Sequence, residues 1–299
     1  MTPPTSEVSG FAFVANPLDR ADALRDDADA IARLWPDGRV LVLDADGNAY
    51  TDDTGALLPL TGAQLGGGPG AATFLGLQNG HGWFSIEAAA VPLQAPGRMD
   101  LRRSASEWPA AMSSLFAYAR GMSYWHSRNR YCGVCGGQIA FRRAGFIGHC
   151  PDCGNEHYPR VDPAIIVAVG DGERLLLGRQ PNWQARRYSV IAGFVEPGES
   201  LEQTVAREVF EETRVRVRTC RYLAAQPWPF PGALMLGFAA TAHPDPPQVD
   251  GELEDARWFD RDAVAAALRE EAAGAGIHLP PRLSIARALI EHWYRHGNA

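Results

Sequence analysis

Residues 193–215 read GFVEPGESLEQTVAREVFEETRV and place several carboxylates in a fixed relation to one another. Apolar side chains recur every four residues at Leu201, Val205 and Val209, which predicts a helix over residues 201–213. On such a helix three glutamates share one face at i, i+3 and i+4: Glu208, Glu211 and Glu212. Because like charges at this spacing destabilise a helix, we interpret them as oxygen ligands for a hard divalent cation such as Mg²⁺, rather than as a solvated acidic face.

The same residues resemble the signature of the Nudix hydrolases, Gly-x5-Glu-x7-Arg-Glu-U-x-Glu-Glu-x-Gly-U, in which U is aliphatic. The matching positions are Gly193, Glu199, Arg207, Glu208, Val209, Glu211, Glu212 and Val215. Arg214 departs from the signature, since the family has glycine there. That glycine normally ends the helix in a left-handed conformation, so we expect Arg214 either to strain the turn or to end the helix differently, with the chemistry retained.

The bulk composition is that of a globular protein with room for two domains. The chain has 299 residues, of which 46% are hydrophobic and 21% charged. Its net charge of −7 argues against a nucleic-acid surface spread over the whole protein, although a local basic patch or an RNA held by one end is compatible with it. The N-terminus lacks the pattern of a signal peptide and no apolar run has the length of a membrane span, so we expect a cytoplasmic protein without a membrane partner.

Four of the five cysteines form two Cys-x2-Cys pairs separated by 14 residues: Cys132, Cys135, Cys150 and Cys153. Two such pairs can bind one tetrahedral zinc ion, and four thiolates leave no open coordination position, so the pattern predicts one structural zinc per chain. Disulfides would need an oxidising compartment, and a redox role would need only one pair. His149 and His157 flank the cysteines and are alternative ligands, which we interpret as bystanders. Cys220 is interpreted as a buried apolar residue.

The remaining pattern predicts three parts. Residues 1–100 contain short strand-like runs at 40–43 and 72–75, and an apolar stripe predicts a helix over 104–127. From Pro163 onwards strands are predicted at 164–169, 174–178, 188–192, 215–224 and 233–241, and helices at 262–273 and 282–295. We predict an α/β protein with a mixed α+β N-terminal domain (1–127), a central zinc ribbon (128–160) and a C-terminal α/β/α sandwich of the Nudix type (161–299).

A rigid aromatic segment, Gln226-Pro-Trp-Pro-Phe-Pro231, follows the acidic helix. Its prolines restrict the backbone while Trp228 and Phe230 offer flat faces that can stack on a planar heterocycle, or can equally form a purely structural turn. The segment resembles Ser-Gln-Pro-Trp-Pro-Phe-Pro-x-Ser, which marks the NADH pyrophosphatase branch of the Nudix hydrolases, and the resemblance extends from Trp125 through the zinc ribbon to Ile290. Ala225 and Ala233 replace the two serines of that motif, so the substrate is less well defined than the reaction.

The resemblance implies a set of site residues. Its metal ligands are the carbonyl of Ala192 together with Glu208, Glu211, Glu212 and Glu252, the last preferred over Glu254 and Asp255. Its substrate-binding residues are Tyr158, Phe194, Gln226, Pro227, Trp228, Pro229, Phe230, Pro231, Gly232, Ala233, Ala286 and, more weakly, Arg103. We expect Arg207 and Glu199 to orient the glutamates, and Glu211 either to bind metal or to accept a proton.

These residues lead us to expect an enzyme that uses two or more Mg²⁺ or Mn²⁺ ions to hydrolyse NADH or NAD⁺ to nicotinamide mononucleotide and AMP. Alternative activities are removal of the NAD cap from RNA 5′ ends and hydrolysis of ADP-ribose or dinucleoside polyphosphates. A non-catalytic zinc-ribbon module that binds nucleotides is the alternative from another class. The resembling family is dimeric, which implies a homodimer whose site includes the partner subunit's Tyr158.

Overall fold

The computed structural model describes residues 6–249, 251–269 and 276–297. The chain divides into two compact units. The C-terminal unit comprises Met1–Ala12, Asp162–Pro227 and Ala233–Ala299, and the N-terminal unit comprises Phe13–Val161 and Trp228–Gly232. Within the described ranges, none of the helices combines the length and the hydropathy that crossing a lipid bilayer requires.

A six-stranded sheet is the centre of the N-terminal unit. Its strands are β1 (Arg39–Leu43), β2 (Ala49–Thr51), β3 (Leu60–Thr61), β4 (Thr73–Gln78), β5 (His81–Glu87) and β6 (Gly97–Met99), in the order β4-β5-β1-β2-β6 with β3 on β1. Helices α1 (Ala28–Leu34) and α2 (Gly62–Leu65) accompany the sheet, and α1 packs on it through Ile31. The predicted strands at 40–43 and 72–75 are confirmed as β1 and β4, because their apolar side chains fill this core.

The helix predicted over 104–127 is wrong in one respect, because two helices occupy this region: α3 (Leu101–Glu107) and α4 (Ala110–Arg128). The break falls at Trp108, whose extended backbone precedes Pro109. A proline hinders helical geometry in the residue before it and has no N–H to continue the hydrogen-bond ladder. The apolar stripe of α4 is buried as predicted, with Leu115 and Met122 in the interior.

The cysteine-containing segment folds as a small three-stranded antiparallel sheet. Its strands are β7 (Ala140–Arg142), β8 (Ile147–His149) and β9 (Glu156–His157). Few apolar side chains are buried here besides Ile139, so this segment depends on its cysteines for stability.

The C-terminal unit is an α/β/α sandwich. Its strands are β10 (Asp162–Gly170), β11 (Arg174–Arg179), β12 (Ile191–Phe194), β13 (Val217–Trp228), β14 (Ala233–Ala242) and β15 (Asp255–Asp260), in the order β13-β14-β10-β11-β15 with β12 on β10. The helices are α5 (Leu201–Thr213), α6 (Arg261–Arg269) and α7 (Ile285–His296). The predicted α/β fold with a sandwich in this part is confirmed.

Alternation along β10 explains the two helical layers. Ile165 and Val167 share a core with Val205 and Val209 of α5, whereas Ile166 shares a core with residues of α7. A strand with apolar residues on both faces is typical of a sheet covered on both sides. The order of these side chains therefore places α5, and its acidic face, on one side of the sheet.

Three further predicted elements differ from the structure by three residues or more at one end. The strand expected over 188–192 begins at Ile191, and the helix expected over 282–295 begins after the N-cap Ser284, whose hydroxyl accepts from Ala286 N. The strand expected over 215–224 continues to Trp228, because β13 lies at the sheet edge and Pro227 needs no ladder partner there. Of the helix expected over 262–273, residues 270–273 lie outside the described residues.

Candidate functional site

Helix α5 presents the acidic face and is fixed at its beginning by a capping box. Gln203 N donates to the Ser200 hydroxyl at 3.3 Å, and Ser200 N donates to Oε1 of Gln203 at 2.8 Å. Val205 and Val209 are fully buried against the sheet. Because these two valines fix the rotation of the helix, Glu211 is exposed, Glu208 is half-buried at the edge of the apolar stripe, and Glu212 is buried.

Arg207 is the centre of the acidic cluster. Its Nε donates to Glu199 Oε1 at 2.6 Å, and its Nη1 donates to Glu208 at 2.9 Å and Glu211 at 3.0 Å. Its Nη2 donates to the carbonyl of Phe194 at 2.9 Å, which ties α5 to the end of β12. The hydrogen bonds from Arg207 lower the pKa of Glu199 to about 2. One guanidinium thus holds three carboxylates in fixed positions, as charge-assisted hydrogen bonds do.

Glu208 lies directly against the backbone of β12. A Cβ atom at Gly193 would stand 1.8 Å from Cδ of Glu208, so only glycine leaves room for this carboxylate. Burial is the largest cause that raises the pKa of Glu208, and the charges of Glu211 and Glu252 act in the same direction. A partly buried carboxylate beside two other negative charges is an electrostatic arrangement that a divalent cation relieves.

The other acidic candidates occupy different surroundings. Glu212 is buried, with 6% of its surface exposed. Glu254 pairs with Arg179, and Asp255 accepts from the Tyr188 hydroxyl and pairs with Arg257 at 2.6 Å. Of the three residues considered in the 252–255 segment, Glu252 is therefore the one whose charge acts on Glu208 while its two rivals are engaged elsewhere.

The donor set fits a hard divalent cation, although its ligands are not gathered into a tight cluster. Within residues 6–249, 251–269 and 276–297, one group has three or more possible ligand atoms within 4.8 Å of one another, and it consists of the four paired cysteines. The glutamates are spread around Arg207 instead, because its positive charge holds Glu199, Glu208 and Glu211 at separate nitrogens. Ala192, the proposed carbonyl ligand, lies next to Gly193 on β12.

Arg214 ends α5 in the left-handed conformation that glycine would normally adopt. Its φ and ψ are 60° and 12°, and its N–H donates to the carbonyl of Phe210 at 2.8 Å. Of the two alternatives expected from the sequence, the strained turn is the one observed, because a Cβ atom is unfavourable at this φ.

We expect Arg214→Gly to raise the free energy of unfolding by roughly 0.5–1 kcal/mol, since relief of strain exceeds the added chain entropy of glycine. The matched control is Arg214→Ala, which removes the same side chain but keeps the strained backbone. Urea denaturation of the two variants measures the difference. Equal stability of the glycine and alanine variants would show that the turn is not strained.

The aromatic segment packs within the N-terminal unit. The rings of Trp228 and Phe230 are 4.9 Å apart, and Phe13 lies 6.2 Å from Phe230. The guanidinium of Arg102 lies 4.0 Å from the Phe230 ring centre, and Nε of Arg120 donates to the Pro229 carbonyl at 3.2 Å. Sequence reasoning missed these three partners, because residues more than 90 positions away leave no local signal. These contacts support a structural role for the segment, whose Trp228 and Phe230 rings are half-buried.

Gln226, which the resemblance placed among the substrate-binding residues, is buried in the structure. The side chain is 0% exposed, and Nε2 donates to the carbonyls of Ala12 at 3.0 Å and Leu283 at 2.8 Å. Oε1 accepts from the N–H of Ile285 at 2.8 Å. The amide is therefore used entirely in joining three segments of the C-terminal unit. Ala286, another residue of the predicted set, lies on α7 and is also buried.

We expect Gln226→Ala to lower the free energy of unfolding by about 3 kcal/mol, because two buried carbonyls and one buried N–H lose their partner. KM for the substrate should stay unchanged in the folded protein. Thermal unfolding and steady-state kinetics measure the two quantities. Gln248→Ala is the control, since that side chain is exposed; a stable Gln226 variant with a raised KM would restore the original prediction.

The other predicted substrate residues are distributed over both units. Phe194 is 60% exposed beside Gly193, and Tyr158 is 48% exposed with its hydroxyl donating to Glu156. Arg103 lies on α3 and pairs with Glu107 at 2.6 Å. Pro229 is buried, Pro227 and Pro231 are exposed, and Gly232 and Ala233 are half-buried. Among the predicted substrate residues, Phe194 and Tyr158 therefore have the most exposed aromatic rings.

The four paired cysteines converge as a zinc site requires. Sγ of Cys132 lies 3.7 Å from Sγ of Cys153, and Sγ of Cys135 lies 3.4 Å from Sγ of Cys150. Four thiolates around zinc, each at about 2.3 Å from the metal, have sulfur atoms about 3.8 Å apart. All four cysteines are free thiols, so the spacing fits a single structural zinc ion rather than disulfides.

The backbone around the cysteines forms two equivalent turns. Gly136 N donates to the Cys132 carbonyl and Gly154 N to the Cys150 carbonyl, both at 2.9 Å. The two glycines have φ of 78° and 75°, which other residues adopt with strain. Backbone N–H groups of Cys135 and Val134 lower the pKa of Cys132 to about 6 and favour the thiolate that binds metal.

His157 is more than the bystander expected from the sequence. Its Nε2 lies 3.4 Å from Sγ of Cys132, close enough to hydrogen-bond the ligand sulfur. His149 lies outside the group of ligand atoms. Cys220 is half-buried on β13, and burial raises the pKa of its thiol, as expected for a residue with a packing role.

Comparisons with known proteins agree with these two sites. Residues 159–279 match the model of the NUDIX domain, and residues 127–158 match the model of the NADH pyrophosphatase zinc ribbon domain. The chain is 40% identical over 287 residues to NAD-capped RNA hydrolase NudC of Mycobacterium bovis (strain BCG / Pasteur 1173P2), with 92% of each chain covered.

A second relative is NAD-capped RNA hydrolase NudC of Stutzerimonas stutzeri (strain A1501). It is 43% identical over 205 residues, which cover 67% of this chain and 70% of that protein. The crystal structure of a NUDIX hydrolase from Nitrosomonas europaea matches with 22% identity and a TM-score of 0.38, and it covers 50% of this chain and 97% of that one.

Proposed function

We propose that this chain, which belongs to the NADH pyrophosphatase branch of the Nudix hydrolases, hydrolyses the pyrophosphate bond of NADH or NAD⁺. The products are nicotinamide mononucleotide and AMP. The observation that carries the proposal is the acidic cluster on α5, where Arg207 orients Glu208 and Glu211 and Gly193 leaves room for the Glu208 carboxylate.

Each residue of the cluster has a separate task in this proposal. Glu208, Glu212 and Glu252 would hold the divalent cations, and the Ala192 carbonyl would be a further ligand. When bound, Mg²⁺ or Mn²⁺ neutralises phosphate charge and lowers the pKa of coordinated water. Arg207 and Glu199 position the glutamates, because their mutual hydrogen bonds fix the guanidinium. Glu211 either completes the ligand set or accepts the proton of the attacking water.

Recognition of the flat ends of the substrate rests on the open aromatic faces. Phe194 directly follows Gly193, so a ring stacked on it lies beside the glutamates. We propose Phe194 and the partner subunit's Tyr158 as the stacking residues, since the ring of each residue is exposed. Gln226 and Ala286 have no place in this set, because the core buries them.

Removal of the NAD cap from RNA is a second candidate activity, because relatives with about 40% identity carry the name NAD-capped RNA hydrolase. A capped RNA contains the same pyrophosphate bond. A single panel tests both activities: kcat/KM on NADH, NAD⁺, ADP-ribose and NAD-capped RNA with one metal concentration. A higher kcat/KM on ADP-ribose than on every nicotinamide substrate would contradict both, and nucleotide binding without turnover would identify a non-catalytic module.

Several further properties belong to the same proposal. We propose a homodimer in which each active site includes the partner subunit's Tyr158; light scattering tests the dimer. We also propose a location in the cytoplasm, where thiolates stay reduced. The proposed domain boundaries are 1–127, 128–160 and 161–299. The family matches at 127–158 and 159–279 support the second and third of these domains.

A further inference from the structure

The N-terminal unit contains a cavity of about 660 Å³ that the proposed reaction does not use. It is lined by the six-stranded sheet, by α4, and by residues 141–145 of the small cysteine-bound sheet. A volume of this size is within the range of pockets for small organic ligands. Its residues come from β4, β5, α4 and β7, so it is built from ordered elements rather than from one loop.

The charge of the cavity differs in sign from that of the chain. Its lining contains four arginines (Arg25, Arg130, Arg142 and Arg143) against two carboxylates (Asp26 and Glu87), which gives a formal charge of +2. The whole chain carries −7. A positive concavity on an acidic protein concentrates anionic ligands.

Two of these arginines are available to a ligand. Arg143 pairs with Asp26 at 2.8 Å, and Arg25 pairs with Asp22 at 3.0 Å. Arg130 forms a long ion pair with Glu87, with Nη2 and Oε2 4.0 Å apart, and both side chains are largely exposed. The guanidinium of Arg142 has no ion pair or hydrogen bond with any residue in the described ranges. Arg130 and Arg142 therefore offer donors for a phosphate group.

The inner part of the cavity is uncharged but polar. Ser85 is 5% exposed, and within the described part of the chain its hydroxyl has no hydrogen-bond partner. His126 donates from Nε2 to the Gly145 carbonyl at 2.7 Å, which leaves Nδ1 as an acceptor facing Thr73 Oγ1 at 3.4 Å. Burial lowers the pKa of His126, because it disfavours the charged form of the ring.

We propose that this cavity binds a nucleoside monophosphate unit, with the base towards Ser85 and Phe141 and the phosphate on Arg130 and Arg142. The arrangement offers a contact for each part of such a ligand: the Phe141 ring, which is 38% exposed, the Ser85 hydroxyl, which is unpaired within the described residues, and the exposed guanidinium groups of Arg130 and Arg142. The nucleotide is either free AMP or one unit of a single-stranded RNA. The site is separate from the acidic cluster and goes beyond the proposed reaction.

The test is hydrogen–deuterium exchange of the full chain with AMP, and separately with an uncapped single-stranded RNA oligonucleotide. We expect slower exchange in residues 139–145 with at least one of these probes, and a Kd about tenfold weaker in Arg142→Ala, as the loss of a charged hydrogen bond predicts. Arg128→Ala is the matched control, because Arg128 is an exposed arginine of the same region outside the cavity lining.

Ser85→Ala is an independent test of nucleotide binding, since it removes the hydroxyl but no existing hydrogen bond. We expect weaker nucleotide binding without a lower melting temperature. Protection with RNA alone assigns the nucleotide to RNA, and protection with AMP assigns it to the free nucleotide. Absence of protection with both probes, or equal binding by the Arg142 and Arg128 variants, overturns the proposal. Turnover of NADH is measured in parallel and should be unchanged in Arg142→Ala, so a failure here is distinct from a failure of the proposed reaction.

Discussion

Glu208→Gln is expected to lower kcat for NADH by about a thousandfold, because it removes a negative charge from the proposed metal site without changing side-chain volume. The carboxylate lies against Gly193 and accepts from Arg207 at 2.9 Å, so the amide fits the same space. Circular dichroism and the melting temperature should stay close to those of the wild type. Steady-state kinetics with Mg²⁺ or Mn²⁺ measures the loss.

Glu202→Gln is the matched control for this variant. Glu202 lies in the first turn of the same helix and is exposed, and it makes no contact with Arg207. The chemical change is identical, so a general effect of helix charge would appear in both variants. Equal activity of Glu208→Gln and the wild type would contradict the metal assignment, whereas loss of activity in both variants would point to the helix rather than to the site.

Cys150→Ser is expected to abolish zinc binding and to unfold the small sheet of β7, β8 and β9. Cys150 is fully buried between its three partner cysteines, and the segment has few other apolar contacts. Zinc binding to such sites is worth about 10–16 kcal/mol at neutral pH, far more than this segment gains from its own core. Elemental analysis should find one zinc per wild-type chain and close to none in the variant.

Limited proteolysis shows which part of the chain unfolds when zinc is lost. New cleavage should appear between residues 127 and 158 in Cys150→Ser and remain absent in Cys220→Ser, since Cys220 lies on β13 outside the group of ligand atoms. A wild-type protein without zinc, or a Cys150 variant that retains it, would contradict the structural zinc.

Local patterns in the sequence were sufficient for the C-terminal sandwich and for the acidic helix. The spacing of Val205 and Val209 predicted α5 at its observed bounds, because one buried stripe both forms the helix and fixes its rotation. The two Cys-x2-Cys pairs likewise predicted a converging group, since each pair closes a short local turn.

Tertiary contacts decided the features that the sequence could not reveal. Gln226 belongs to a motif that resembles a substrate site, yet its amide is used by Ala12, Leu283 and Ile285, which are distant in sequence. Phe230 likewise contacts Arg102, a residue that is distant from it in sequence. A motif records which residues occur together, but it does not say which of them face the ligand.

The acidic cluster illustrates both sides of this limit. The sequence indicated which glutamates share one helical face, and the structure added that Arg207 holds Glu199, Glu208 and Glu211 at separate nitrogens. Glu252 lies 39 residues beyond the end of α5, and its charge effect on Glu208 is what connects it to the cluster within the described residues. Its role therefore remains part of the proposal that the kinetics must test.

The products of NADH after incubation with the wild-type protein and Mn²⁺ test the central claim most directly. Cleavage of the pyrophosphate bond yields AMP and reduced nicotinamide mononucleotide in equal amounts, and chromatography separates both from the substrate. We expect these two products from the wild type, and about a thousandfold slower formation of both by Glu208→Gln under the same conditions. Formation of nicotinamide and ADP-ribose, or an unchanged substrate, would contradict the account.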